Sequence, residues 1–281
     1  MIAKNSITKK IFANIIVVLF FTCSDLFAQG DLLVNPRRIV FDGSKRVYEL
    51  NLANTGSDTA RYNISFIQYR MTEDGSFQEI TEPEEGQFFA DKNLRFFPRS
   101  VTLAPNEAQI VKMQVVNYNN LKQGEYRSHA YFRAVPKPIA LGSESVVSDS
   151  AGLSIQLVPI FGITIPVIIR VGENNTKSAL SDLIIHKQDD TTMILEMKIN
   201  RSGNMSTYGD LRAFHISPEG KETPVGGING IAVYTPTQYR IFKLPIKLVN
   251  DINFNSGRLK VEYLSQADTK QEKLAVLTID L

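Results

Sequence analysis

An all-β chain folded as two β-sandwiches in tandem is what this sequence predicts, on three observations. Beyond residue 31 the apolar residues recur with a period of two rather than 3.6, which sets one side-chain row on a core and the other in water. Turn-forming residues break this alternation at short, even intervals, the spacing of a sandwich. No segment carries apolar residues at helical spacing over the length of a stable amphipathic helix.

Residues 35–54 read as two short strands joined by an Asp42-Gly43 turn, with the basic pair Arg37 and Arg38 on the first and Tyr48, Leu50 and Leu52 alternating on the second. Asp31 to Asn35 reads as a short lead-in. Tyr62, Ile64 and Phe66 mark a further strand, and Val111, Met113 and Val115 another. Between them lie turns at Asn54-Thr55-Gly56, Asp74-Gly75, Ala104-Pro105-Asn106 and Gln123-Gly124. The polar stretch Gly172–Ser178 suits a linker, and the second half repeats the style of the first. Met193–Asn204 echoes Tyr48–Gly56, each a strand closing on an Asn and a Gly-containing turn. Arg212–Ile216, a turn at Pro218-Glu219-Gly220, Tyr239–Ile246, Leu259–Leu264 and Leu274–Ile279 complete it. The expected division is 1–28 as an export signal, 29–173 as the first domain and 174–281 as the second.

The signal reading rests on Lys4, Lys9 and Lys10 before an apolar run from Ile11 to Phe21, followed by Leu26-Phe27-Ala28 as a cleavage site. A run of about 11 residues is too short for a bilayer, which needs ~20. Cys23, the one cysteine, follows Thr22 rather than the small residue that a lipid-anchored cysteine usually follows. Cleavage after Ala28 would leave no cysteine, so disulfides are not expected to hold the fold. The 31 basic and 29 acidic residues nearly balance, which gives no electrostatic footprint for nucleic acid. His129, His186 and His215 are scattered without metal-ligand spacing, and neither a Gly-x-Ser-x-Gly elbow nor a phosphate loop is present. The chain reads as a non-enzyme with no cofactor, no metal and no small-molecule substrate.

Four stretches in order resemble the periplasmic pilus-assembly (fimbrial) chaperone family. They are Arg38–Gly43 with the strand ending at Asn54, Phe97-Pro98-Arg99 with Leu103–Gln109, Gly124–Pro136, and Ile165–Arg170. Asn106 stands where the family usually has Gly. The resemblance implies two immunoglobulin-like domains with a cleft between them. It implies donation of a strand to pilin-like or surface-fibre subunits that lack one, with an outer-membrane usher as a further partner and the periplasm as the location. Arg38 then matches the first of two basic residues that anchor a subunit carboxylate, a task to which a guanidinium fork is suited. The second, a lysine in the family, falls on Pro166. Lys112 and Arg170 match basic members of an interdomain charge network whose acidic member has no clean counterpart. Leu153, Ile155 and Leu157 alternate with polar neighbours and are the candidate donor strand, although the same pattern would serve the chain's own core. Pro159 favours a sheet edge there. Without the resemblance, the chain also reads as a structural or adhesive β-sandwich component of a surface assembly.

Overall fold

The computed structural model describes residues 32–136, 160–189, 192–247, 252–266 and 271–281. The candidate signal segment, Cys23 and the candidate donor residues Leu153, Ile155 and Leu157 lie outside the described residues. Among the described residues regular structure is strand, with two single 3₁₀ turns, so the all-β reading holds.

The first sandwich has a sheet of β1 (Leu32–Asn35), β3 (Val47–Asn54), β9 (Ala108–Val115) and β7 (Leu94–Phe97), in that order. It packs on a second sheet ordered β2 (Ile39–Phe41), β11 (Gly162–Val171), β10 (Gly124–Ala134), β4 (Ala60–Ile67) and β8 (Ser100–Leu103). This is the immunoglobulin arrangement, in which strands from the start of the domain meet its last strand. The alternation seen in the sequence supplies the core directly: Leu50, Leu52, Val111, Met113 and Phe132 are fully buried in one cluster. A hairpin of β5 (Tyr69–Met71) and β6 (Phe77–Glu79) projects from this body.

The second sandwich sets β12 (Lys177–Lys187), β13 (Thr192–Ser202) and β16 (Tyr239–Lys247) against β15 (Glu222–Val233), β14 (Thr207–Ile216), β17 (Arg258–Ser265) and β18 (Lys273–Asp280). Its core centres on Leu195, Leu211, Val233, Leu259 and Tyr263.

Several local details depart from the sequence reading. The strands either side of Asp42-Gly43 do not pair with each other: β2 lies parallel to β11, and β3 lies between β1 and β9. The turn therefore carries the chain from one sheet to the other. Asp42 stabilises it by accepting the Ser44 backbone N–H at 3.0 Å and the Ser44 hydroxyl at 2.6 Å. These bonds hold its carboxyl below the usual range. The lead-in before Asn35 is itself strand β1, with Leu32 and Val34 buried. Asn106, in place of the expected Gly, adopts φ 60°, a conformation that Asn tolerates better than most residues. β12 begins at Lys177, inside the stretch read as linker.

Candidate functional site

Register decides which side chains of the first sandwich face the second. On β10 and β11, Glu125 pairs with Arg170, Arg127 with Ile168, and His129 with Pro166. On the other side of β11, Ile168 pairs with Val40. Side chains two apart share a face, so the outer face carries three rows running across the sheet. Asp42, Arg170 and Glu125 form the first, Val40, Ile168 and Arg127 the second, and Arg38, Pro166 and His129 the third. Arg37 points away and is exposed.

The second sandwich covers this face. Every residue from Gly124 to Ala130 is buried, the inward row by the core and the outward row by the neighbouring domain. Met71, Ile168, Ala232 and Tyr234 form a small apolar cluster bridging the two sandwiches, flanked by Val40 and Tyr208.

At one end of the seam Glu125 is 1 % exposed and fully occupied. Its Oε2 accepts Arg170 Nε at 3.0 Å and the Ser206 N–H at 3.0 Å, and its Oε1 accepts the Ser206 hydroxyl. Arg170 also donates through Nη2 to the Ser206 carbonyl at 2.8 Å. A carboxylate and a guanidinium from the first sandwich thus bind both the donors and the acceptor of one residue of the second. Burial of this ion pair is tolerable because each partner is hydrogen-bonded beyond the pair itself. Arg170 is legible in the sequence and Glu125 is not: it lies one strand away on β10, and only the register places it beside Arg170.

Lys112 is elsewhere. It lies on β9, in the opposite sheet, where its Nζ is 3.6 Å from Glu49 and its side chain is 66 % exposed. The structure therefore brings Arg170 into the interdomain network and leaves Lys112 outside it.

At the other end stands Arg38. Its Cζ lies 4.2 Å from the ring centroid of Tyr208, a residue of the second sandwich. Its Nε and Nη2 are buried and have no hydrogen-bond partner. Arg127, 3 % exposed, repeats the arrangement on Tyr234, with its Cζ 4.2 Å from the centroid. Its Nη2 donates to the carbonyls of Tyr69 at 3.1 Å and Thr235 at 3.3 Å, while Nη1 is buried without a partner. Burial first, and Arg38 in addition, lowers the Arg127 pKa. Burial also pushes the Tyr208 hydroxyl pKa up.

His129 completes the third row, 3 % exposed and edge-on to Tyr69 (5.0 Å) and Phe77 (5.5 Å). Its Nδ1 has no partner. Burial, then the charge of Arg127, lowers its pKa to about 3. The ring is accordingly neutral at physiological pH.

The β5–β6 hairpin closes the seam from the side. Thr237 donates its hydroxyl to the Met71 carbonyl at 2.6 Å, and the Ile241 N–H donates to the Glu73 carbonyl at 2.7 Å. Gly75, at φ 84°, sits so close to Arg240 that an added Cβ would collide with its guanidinium.

Comparison with protein-family models finds no match, and comparison with curated proteins finds none. Among solved structures the chain is similar to the YadV chaperone, with a TM-score of 0.44 and 11 % identity over 89 % of this chain and 100 % of that one. It is also similar to the Pseudomonas aeruginosa CupB2 chaperone, with a TM-score of 0.41 and 14 % identity over 88 % and 98 %. A third is the CsuC–CsuE chaperone–tip adhesion subunit pre-assembly complex of Acinetobacter baumannii, with a TM-score of 0.42 and 14 % identity over 88 % and 97 %.

Proposed function

We propose that this protein is a periplasmic chaperone for fimbrial or surface-fibre subunits, binding them by donating a strand and anchoring a subunit carboxylate at Arg38. The observation that carries the reading is the state of Arg38: a charged fork with two buried, unsatisfied nitrogens at the seam between two domains. A buried donor left without an acceptor costs about 1–3 kcal/mol, and more when it is charged. A carboxylate seated there recovers that cost and makes the strong charge-assisted bonds that guanidinium favours.

The edge of β11 supports the strand-donation part. On its β2 side only Val167, Ile168 and Ile169 have ladder partners. Gly162 to Pro166 therefore present a free edge among the described residues, and Ile160 and Phe161 just before them are 42 % and 44 % exposed. An open edge next to exposed apolar residues invites pairing with another chain. The candidate donor residues Leu153, Ile155 and Leu157 precede this edge directly in the sequence.

Co-purification of the tagged full chain from its native cell envelope tests the proposal. Recovery of a small β-rich partner with the wild type, lost with Arg38→Ala and with Ile155→Asp, is the expected result. Unchanged recovery with both variants would overturn strand donation. Recovery of the protein alone, in long assemblies, would favour a structural component of a surface fibre.

A further inference from the structure

The β5–β6 hairpin belongs to neither sheet of the first sandwich: its two strands pair only with each other among the described residues. Phe77, Gln78 and Glu79 are all exposed, so β6 buries little against its own domain. An isolated two-stranded hairpin is marginally stable in water, and this one is held by what it touches at either end. Its base is fixed to the first sandwich. The Ile80 N–H donates to the Gln68 carbonyl at 3.0 Å, and the Tyr69 carbonyl accepts Gln87 Nε2 and Arg127 Nη2, each at 3.1 Å.

The tip is closed upon itself. Asp74 accepts the hydroxyls of Thr72 and Ser76 and the Ser76 N–H, and the Gly75 N–H donates to the Thr72 carbonyl at 2.9 Å. None of these bonds involves the second sandwich, so the tip keeps its shape when its outer contacts are lost.

Those outer contacts gather at the start of β16, an edge strand of its sheet. The Arg201 N–H on β13 donates to the Gln238 carbonyl. From there the even-numbered residues turn their backbone groups toward β13, and the odd-numbered ones turn theirs outward. The outward N–H of Ile241 is taken by the Glu73 carbonyl at 2.7 Å. Just before the strand, the Thr237 hydroxyl donates to the Met71 carbonyl at 2.6 Å. The Glu73 carboxylate bonds the Tyr239 hydroxyl and raises its pKa. Arg240 reaches across to the Ala232 carbonyl at 3.2 Å and is covered by Gly75. These contacts are few and mostly polar, and no ladder of either sandwich depends on them. Parting them costs less than unfolding a domain, which is the condition for local opening.

We propose that the β5–β6 hairpin is a latch. Closed, it pins the second sandwich over the outer face of the first. Open, it lets the two domains part with both sandwiches intact and uncovers the row of Arg38, Pro166 and His129. The latch itself stands on the hydrogen bonds; only the use of the opened seam rests on the chaperone reading. A ligand that binds the parted form alone would hold the latch open by shifting that equilibrium.

Two backbone N–H groups report on the latch, because each donates to the other domain. Ile241 donates to Glu73 at the latch, and Ser206 donates to Glu125 at the far end of the seam. Phe242, turned toward Met197 of β13, reports on the second sandwich itself. The test is amide hydrogen exchange of the full chain, followed by NMR. Ile241 and Ser206 should share one protection factor, at least tenfold below that of Phe242. Thr237→Val keeps the side-chain shape and removes the bond to Met71. It should speed both reporters by about fivefold, the equivalent of one hydrogen bond, and leave Phe242 unchanged. One common rate for all three amides in the wild type would overturn the latch, since the seam would then open only with unfolding. Faster exchange of Ile241 without Ser206 would overturn its control of domain docking, and unchanged rates in the variant would overturn the role of the tip. None of these outcomes depends on a client, so failure of the latch leaves the chaperone reading to the co-purification.

Discussion

Acidification should loosen the first sandwich through a single imidazole. His129 is buried neutral between Tyr69, Phe77 and Arg127, with its pKa lowered from 6.5 to about 3. In the unfolded chain the same ring protonates near its ordinary value. As pH falls through 6.5 the unfolded state takes up a proton that the folded state refuses, so stability is lost progressively until about pH 3. Between pH 7.5 and pH 5 the linkage relation gives a loss of about 2 kcal/mol, and the full shift corresponds to about 5 kcal/mol. His129→Leu keeps an apolar group of similar size beside the two aromatic edges and removes the titration. Urea unfolding at pH 7.5, 6.0 and 5.0, followed by circular dichroism, should show the wild type losing about 2 kcal/mol more than the variant over this range. Equal pH slopes for the two proteins would refute the argument, because a ring free to protonate in the folded state contributes no slope.

Two further predictions concern the docking of the domains. Glu125→Gln leaves the part-buried Arg170 without its buried counter-charge and should destabilise the protein by about 2–3 kcal/mol, below the roughly 3–5 kcal/mol of a fully buried pair, measured by urea denaturation; a loss under about 1 kcal/mol would mean that the pair is not closed in solution. Gly75→Ala and Gly220→Ala both place a side chain at positive φ, but only Gly75 faces Arg240, whereas Gly220 faces open space. Each should lose about 1–2 kcal/mol from the backbone, and the thermal melt of Gly75→Ala should fall further by whatever the displaced guanidinium costs.

The alternation of Leu50 and Leu52, or of Val111 and Met113, made the sandwich legible because a half-buried strand writes its burial directly into its period. The seam was legible only where resemblance marked a residue, as at Arg38 and Arg170. Glu125, Arg127 and His129 form an equally regular row, but a polar row on a strand reads as a solvated face. Nothing local says that a second domain lies over it. Arg127 was not legible as a neighbour of Arg38 because the two are far apart in sequence and lie on strands either side of β11. Lys112 shows the converse: its position in a family pattern suggested the seam, and its strand belongs to the other sheet. β15 escaped notice for a different reason. Gly226, Gly227 and Gly230 interrupt the apolar period, and bulges shift its register against β14.

The short parallel pairing of β2 with β11 bears on how the chain acquires its shape. Ile39 and Val167 are register partners 128 positions apart, so the opening segment of the first domain finds its neighbour only when the closing strand exists. Contacts of such long sequence separation slow folding, since the intervening loop must be ordered before they form. A chain emerging N-terminus first would hold Ile39 and Phe41, both fully buried in the finished domain, without a partner until residue 169 is free. During that interval they are aggregation-prone surface. A protein proposed to shelter the unfinished strands of others would pass through the same vulnerable interval during its own synthesis.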